Sequence, residues 1–358
     1  MIQTTADATS CHGYAAYDAA SPLRPHSFTR RALRPDDIRI EIQYCGVCHS
    51  DLHAARNDWR NTTYPVVPGH EIVGEVTAVG AGVSRFKIGD RVAVGCLVDS
   101  CKECRDCTAG LEQYCRKGAT LTYNGKDRLT GDPTHGGYST HIIVREAFVL
   151  RVPAGLDPAR AAPLLCAGIT TYSPLRHWRI GPGSTVAVAG LGGLGHLGVK
   201  LAHAMGAEVT VVTRSADKAA EARSLGAQHV LLSGDADAMK RAAGRFDLVL
   251  DTVPVVHAVD PYLRLARTHG ATVLVGMIDT IPPFHSGLLL GGRKTLSSSA
   301  IGGIGETQEL LDFCAAKGIV ADCEMTPIQR INEAFDRMEK GDVRYRFVID
   351  MQSLRQPG

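Results

Sequence analysis

The sequence is short of net charge. Thirty-nine basic residues stand against 37 acidic ones, a formal +2 with 14 histidines counted neutral. A chain this balanced lacks the basic footprint of a nucleic-acid binder or of a protein drawn to an anionic membrane. It also lacks a G-X-Y period, an internal repeat and a low-complexity tail, so its 38 glycines do not read as collagen or as a linker. The first twenty-five residues lack a basic start and an apolar core of the export type, which leads us to expect a reducing, cytoplasmic setting. Ile180–Val199 carries no Lys, Arg, Asp or Glu, yet it holds Pro182 and seven glycines. It reads as strand, loop and helix, not as a membrane span.

An even cysteine count is lacking as well. Eleven cysteines exclude a fully paired disulfide framework. Clustered thiols in a reducing setting more often bind metal. The length of 358 residues, 44% of them hydrophobic, is comfortable for two domains with their own cores.

Residues up to about Asp157 read as β-rich. Ile38, Ile40, Ile42 and Tyr44 alternate with polar residues, the period-2 pattern of a half-buried strand. Further strands are predicted at Ile72–Val79 and Arg91–Val94. After Pro158 the pattern changes. Short apolar strands at Thr185–Ala189, Val209–Thr213, Val230–Leu232, Leu248–Leu250, Thr272–Val275 and Leu296–Ser299 alternate with helical stretches. That alternation predicts an α/β, doubly wound parallel sheet. Helices at Thr307–Ala316 and Ile331–Glu339 and a strand at Tyr345–Ile349 close the chain.

Three motifs carry chemistry. Cys101, Cys104, Cys107 and Cys115 have the spacing C-x2-C-x2-C-x7-C inside the long loop Cys96–Asn124. Four thiolates suit a closed, structural tetrahedral zinc, with an iron–sulfur cluster as the other metal option. Cys48, His70 and Cys166 form a split set: two thiolates and an imidazole make a three-ligand zinc with an open fourth position. Taken alone, each of these is more often a packed core residue than a ligand. Gly190-Leu191-Gly192-Gly193-Leu194-Gly195 is G-x-G-x-x-G between a predicted strand and helix, the context of a dinucleotide fingerprint. Gly190 serves the tight turn, Gly192 the approach of the pyrophosphate, and Gly195 the packing of helix on strand. The second strand ends in Thr213-Arg214-Ser215 with Lys218 close behind, and no carboxylate stands where NAD would need one. Arg214, Ser215 and Lys218 favour NADP, although Asp217 keeps an NAD argument open.

With those residues in place, the chain resembles the zinc-dependent medium-chain alcohol dehydrogenases, in their cinnamyl alcohol dehydrogenase branch with its bacterial NADPH-dependent aldehyde reductases. The resemblance rests on Tyr44–His53 (YCGVCHSDLH), Tyr64–Val76 (YPVVPGHEIVGEV), Pro163–Leu175 (PLLCAGITTYSPL), Gly190–Ala204 and Thr307–Ala315. It implies a β-rich GroES-like catalytic domain at residues 1–157, a Rossmann NADP-binding domain at 158–302, and a return to the catalytic domain at 303–358. It implies a catalytic zinc on Cys48, His70 and Cys166, with Glu71 as a carboxylate able to join the metal. A structural zinc on the four-cysteine loop makes two per chain. Asp51 would orient His70, while Ser50 and His53 would relay a proton, although Ser50 also reads as a helix cap and His53 as a surface histidine. Further cofactor contacts are implied at Thr170, Gly193, Leu194, Val275, Gly276 and Ser299. Trp59 and Leu121 fall at the pocket wall. Cys11, Cys45, Cys96, Cys314 and Cys323 are expected to be fillers or surface thiols. The implied activity is reversible aldehyde reduction by hydride from NADPH in a homodimer acting on small molecules. The alternatives are an NAD-linked alcohol or polyol dehydrogenase and a non-catalytic nucleotide-binding protein.

Overall fold

The computed structural model describes residues 8–355; the first seven residues of the stretch read for an export signal lie outside them. The strands run β1 (Thr9–Ala15), β2 (Arg24–Arg30), β3 (Asp37–Val47), β4 (Ile72–Val79), β5 (Arg91–Val94), β6 (Leu97–Asp99), β7 (Thr120–Leu121), β8 (His141–Arg145) and β9 (Leu150–Arg151). They continue β10 (Thr185–Ala189), β11 (Glu208–Thr213), β12 (His229–Leu232), β13 (Phe246–Asp251), β14 (Ala266–Leu274), β15 (Thr295–Ser298), β16 (Cys323–Pro327) and β17 (Arg346–Asp350). The chain divides into two compact units. One joins Met1–Cys166 to Gly303–Gly358, and the other is Ala167–Gly302. The first division falls after Cys166, nine residues later than the boundary read from sequence. The short helical stretch Pro158–Leu165 stays with the first unit because it packs on β3, β4 and β17.

The first unit is built on a mainly antiparallel sheet in the order β16-β17-β3-β4-β5-β9, with β8 also paired to β3. Ile38, Ile40 and Ile42 of β3 point into the core as the alternation predicts. The pattern then slips. Tyr44 is only half-buried and Cys45 is fully buried, because the pairing of β3 with β4 shifts register between Ile42 and Tyr44. One extra residue on a strand exchanges inward and outward positions. β17 comes from the end of the chain and lies against β3 in register Phe347 to Val47. Its residues Arg346–Ile349 are all buried. The strand therefore completes the unit's core; it is not an appendage.

The second unit is a six-stranded parallel sheet in the order β12-β11-β10-β13-β14-β15. Val186–Ala189 are fully buried, as expected for a strand covered on both faces. Strand order reverses between β10 and β13, which marks a crevice at the carboxyl ends of those strands. The helix Ala167–His177 has no clear periodicity because it is buried on nearly every face from Ala167 to Leu175, with Pro174 inside it. The helix predicted at Thr307–Ala316 runs Ile304–Lys317 and stops at Gly318, whose φ of 66° is left-handed. Among the described residues, no helix is long and apolar enough to cross a membrane.

Phe347 is 2% exposed within β17. Phe347→Ala should cost about 3–5 kcal/mol through the cavity it leaves. A circular-dichroism melt of the variant should show a clearly lower midpoint; an unchanged melt would contradict the core role of β17.

Candidate active site and metal centres

The site begins with a helix start. Cys48 caps the helix His49–Ala55 in extended conformation, and its N–H donates to Asp51 Oδ2 at 2.9 Å. Ser50 lies inside the first turn, so its hydroxyl is not committed to capping. Asp51 is fully buried. Its Oδ1 accepts from Gly69 N–H at 3.0 Å and lies 3.2 Å from His70 Nδ1, while Oδ2 also accepts from the Tyr138 hydroxyl at 3.0 Å. Donation from Nδ1 leaves His70 Nε2 as the lone-pair nitrogen, the tautomer a metal ligand needs.

Cys48, His70, Glu71 and Cys166 place one ligand atom each within 4.8 Å of one another. The Sγ atoms of Cys48 and Cys166 are 3.9 Å apart. Two thiolates ~2.3 Å from one zinc stand ~3.8 Å apart at tetrahedral angles, whereas a disulfide would need ~2 Å. The hydrogen bond between the two holds the Cys48 thiol well below its usual range and the Cys166 thiol well above it. Glu71 is buried behind them, and burial pushes its carboxyl up to about 8 despite the guanidinium of Arg346, which donates to Oε1. Glu71 Oε2 has no hydrogen-bond partner among the described residues. An orphaned buried oxygen beside two sulfurs and an imidazole nitrogen fits a cation. The set therefore suits zinc with one exchangeable position.

Besides Tyr138, three neighbours escape sequence reading. Cys96, grouped there with fillers and surface thiols, lies beside the cluster, its Sγ donating to Leu165 O at 3.8 Å, one residue before Cys166. Its place outside any C-x2-C spacing hides it. Arg346 comes from the last strand and has no motif. Asp58 Oδ2 lies 2.7 Å from His53 Nδ1, and only its position just past a short helix hints at the pair. The ring of Trp59 is tilted against that of His53 at 5.5 Å. Trp59 and Leu121 are both exposed apolar residues.

The second cluster lies in the long loop, which folds into the ribbon β6–β7 and two short helical turns. Cys101, Cys104, Cys107 and Cys115 again place their sulfurs within 4.8 Å of one another, with Cys101 and Cys107 3.9 Å apart. Backbone N–H groups of Cys104 and Cys101 donate to the sulfurs of Cys101 and Cys115, each at 3.4 Å. N–H groups of Cys107 and Arg116 hold Cys104 down to about 6, while burial pushes Cys107 up to about 12. Four sulfurs with no oxygen donor describe a closed tetrahedral site.

In the second unit the three glycines differ in their backbone and surroundings. Gly190 has φ +90°, and a Cβ on Gly195 would lie 2.1 Å from Gly190 O. A Cβ on Gly192 would meet nothing within 4 Å. The chain's own packing does not demand that glycine, so the open space there suits a ligand phosphate. Arg214 and Ser215 follow β11, with Arg214 exposed, and Lys218 Nζ donates to Leu191 O at 3.0 Å, tying that turn to the glycine loop. Val275, Gly276 and Ser299 lie just past β14 and β15. Thr170 is buried in the helix Ala167–His177.

Residues 34–154 match the alcohol dehydrogenase GroES-like domain, and residues 193–316 match the zinc-binding dehydrogenase domain. Over 346 residues the chain is 52% identical to NADP-dependent alcohol dehydrogenase C 1 of Mycolicibacterium smegmatis, covering 96% of this chain and 98% of that one. It is also 52% identical to aldehyde reductase YahK of Escherichia coli, covering 95% and 97%. Among solved structures, a cinnamyl alcohol dehydrogenase of Sorghum bicolor superposes with a TM-score of 0.93 at 45% identity, covering 96% and 98%. A second, from Helicobacter pylori in complex with NADP(H), gives 0.90 at 39%, covering 96% and 99%.

Asp51→Asn removes the charge that holds His70. Zinc affinity at the Cys48 cluster should fall about 10–100-fold, measured by competition with a chromogenic chelator. Unchanged affinity would show that Asp51 only caps the helix.

Proposed function

Because this chain belongs to the zinc-dependent medium-chain alcohol dehydrogenase family, in its cinnamyl alcohol dehydrogenase branch, we propose that it reversibly reduces aldehydes to primary alcohols with NADPH. The observation that carries this reading is the set of buried Cys48, His70 and Glu71 with half-buried Cys166, and its orphaned carboxylate oxygen. When bound, zinc supplies a Lewis acid for a carbonyl oxygen, and NADPH supplies the hydride.

The chain's own residues do the rest. Cys48, His70 and Cys166 hold the metal, and the two thiolates balance its formal charge. Glu71 is the carboxylate able to take the exchangeable position. Asp51 keeps the His70 proton on Nδ1. Ser50 would donate toward the substrate oxygen and begin a proton relay that runs through the cofactor ribose to His53. Asp58 engages Nδ1 of that ring, which leaves Nε2 to receive the next proton from water. Partial exposure of the His53 side chain permits that exchange. Cys101, Cys104, Cys107 and Cys115 hold a second, structural zinc that substitutes for the hydrophobic core the loop lacks.

Arg214, Ser215 and Lys218 support NADP over NAD, since Thr213 closes β11 and no carboxylate follows directly to take the ribose hydroxyls. Free thiols throughout the chain suit a cytoplasmic setting. A homodimer is proposed through β15, which ends its sheet with an unpaired edge among the described residues.

Purified protein should carry about two zinc ions per chain by elemental analysis and reduce a panel of aldehydes with NADPH in preference to NADH. Cys48→Ala should lose at least about 10³-fold in turnover. Cys104→Ala should lose about one zinc and melt earlier while the Cys48 set keeps its metal. Equal use of both cofactors would defeat the NADP assignment, and full activity of Cys48→Ala would defeat the mechanism. Light scattering on a sizing column should give twice the 38.2 kDa of one chain; a monomeric mass would exclude the dimer.

A further inference from the structure

The second unit contains a buried carboxylate that no step above employs. Asp251 ends β13 at the strand-order reversal and is 1% exposed. Its backbone O accepts from Val275 N–H at 2.9 Å and Gly276 N–H at 3.2 Å. Its Oδ1 accepts from Val253 N–H at 3.1 Å, and its Oδ2 lies 2.8 Å from His257 Nε2 on the loop that follows the strand.

The other nitrogen of that ring, Nδ1, lies 2.7 Å from Val255 O. His257 is therefore held at both ring nitrogens, by a carbonyl on one side and the Asp251 carboxylate on the other. The ring of Tyr262 packs edge-on against His257 at 5.3 Å. The loop that His257 ties down is not held by apolar burial along its outer part: Val255 and Val256 are 61% and 58% exposed.

The tie matters because of what precedes it. Thr252 Oγ1 donates to Ala189 O at 2.7 Å, directly under the glycine turn. A Cβ on Gly190 would lie 2.8 Å from Thr252 Oγ1, and one on Gly276 would lie 2.5 Å from Val253 O. Thr252 and Val253 therefore stand as a wedge, with the glycine loop on one side and the Val275-Gly276 turn on the other.

We propose that His257 is a positioning residue for the dinucleotide: by holding Asp251 it fixes the Thr252–Val253 wedge, and so sets the spacing between the two halves of the cofactor site. This rests on the reading of the second unit as the NADP-binding unit. A ligand that spans both halves depends on the wedge, whereas one confined to the Arg214 end does not.

The test uses the intact protein and calorimetry with two probes, NADP⁺ and adenosine 2′,5′-bisphosphate. His257→Ala should weaken NADP⁺ about tenfold and leave the bisphosphate within about twofold. KM for NADPH should rise with kcat nearly constant. His257→Gln, whose amide can still donate to Asp251, should recover most of the affinity, and thermal melts establish that both variants are folded. An unchanged NADP⁺ affinity, or equal weakening of both probes, would overturn the proposal. Failure of the unmodified protein to bind NADP⁺ would instead bring down the cofactor reading on which it stands.

Discussion

One buried carboxylate organises the metal-binding unit. Asp51 collects the Cys48 N–H, the Gly69 N–H, the Tyr138 hydroxyl and His70 Nδ1 on its two oxygens. Those groups come from a helix start, the segment before β4, and a loop far along the chain. A carboxylate with no exposure is costly to bury unless its lone pairs are filled. Filling them forces three segments into a single arrangement, and that arrangement presents Cys48 and His70 toward a common point. Positioning of ligands and satisfaction of a buried charge are here the same set of contacts.

The two sulfur-rich centres show how one ligand chemistry yields different behaviour. In the long loop the donors are four sulfurs, drawn from fifteen consecutive residues and braced by backbone N–H groups. In the other centre the donors are mixed and the carboxylate keeps an unpaired oxygen. The first arrangement is complete in itself and stiffens a loop. The second leaves chemistry unfinished, as a reactive centre must.

Legibility in the sequence follows the range of the interactions. Cys101, Cys104, Cys107 and Cys115 are readable because their spacing is local. So are Gly190, Gly192 and Gly195, whose roles depend on one strand, one turn and one helix. The inner parallel strands β10 and β13 stand out because burial on both faces makes them almost continuously apolar, whereas the edge strands β12 and β15 are half-exposed. Cys96, Asp58, Tyr138 and Arg346 are not readable, since each acquires its role only by tertiary placement. Tyr44 misleads because a register shift in β3 reverses the facing of residues beyond it. The helix Ala167–His177 escapes because near-complete burial erases the amphipathic period.

The pairing of β17 with β3 also has a temporal meaning. Glu71 is made early in synthesis, but the guanidinium that meets it belongs to Arg346, 275 residues later. Until β17 is made, that carboxylate lacks its guanidinium partner, and the edge of β3 at Tyr44–Val47, which β8 does not pair, lacks its partner strand. The parallel-sheet unit, by contrast, is a single uninterrupted stretch of chain and can complete its core while the rest is still being made. The order of closure thus departs from the order of synthesis: the continuous middle unit can close first, while the segments on either side of it wait for each other.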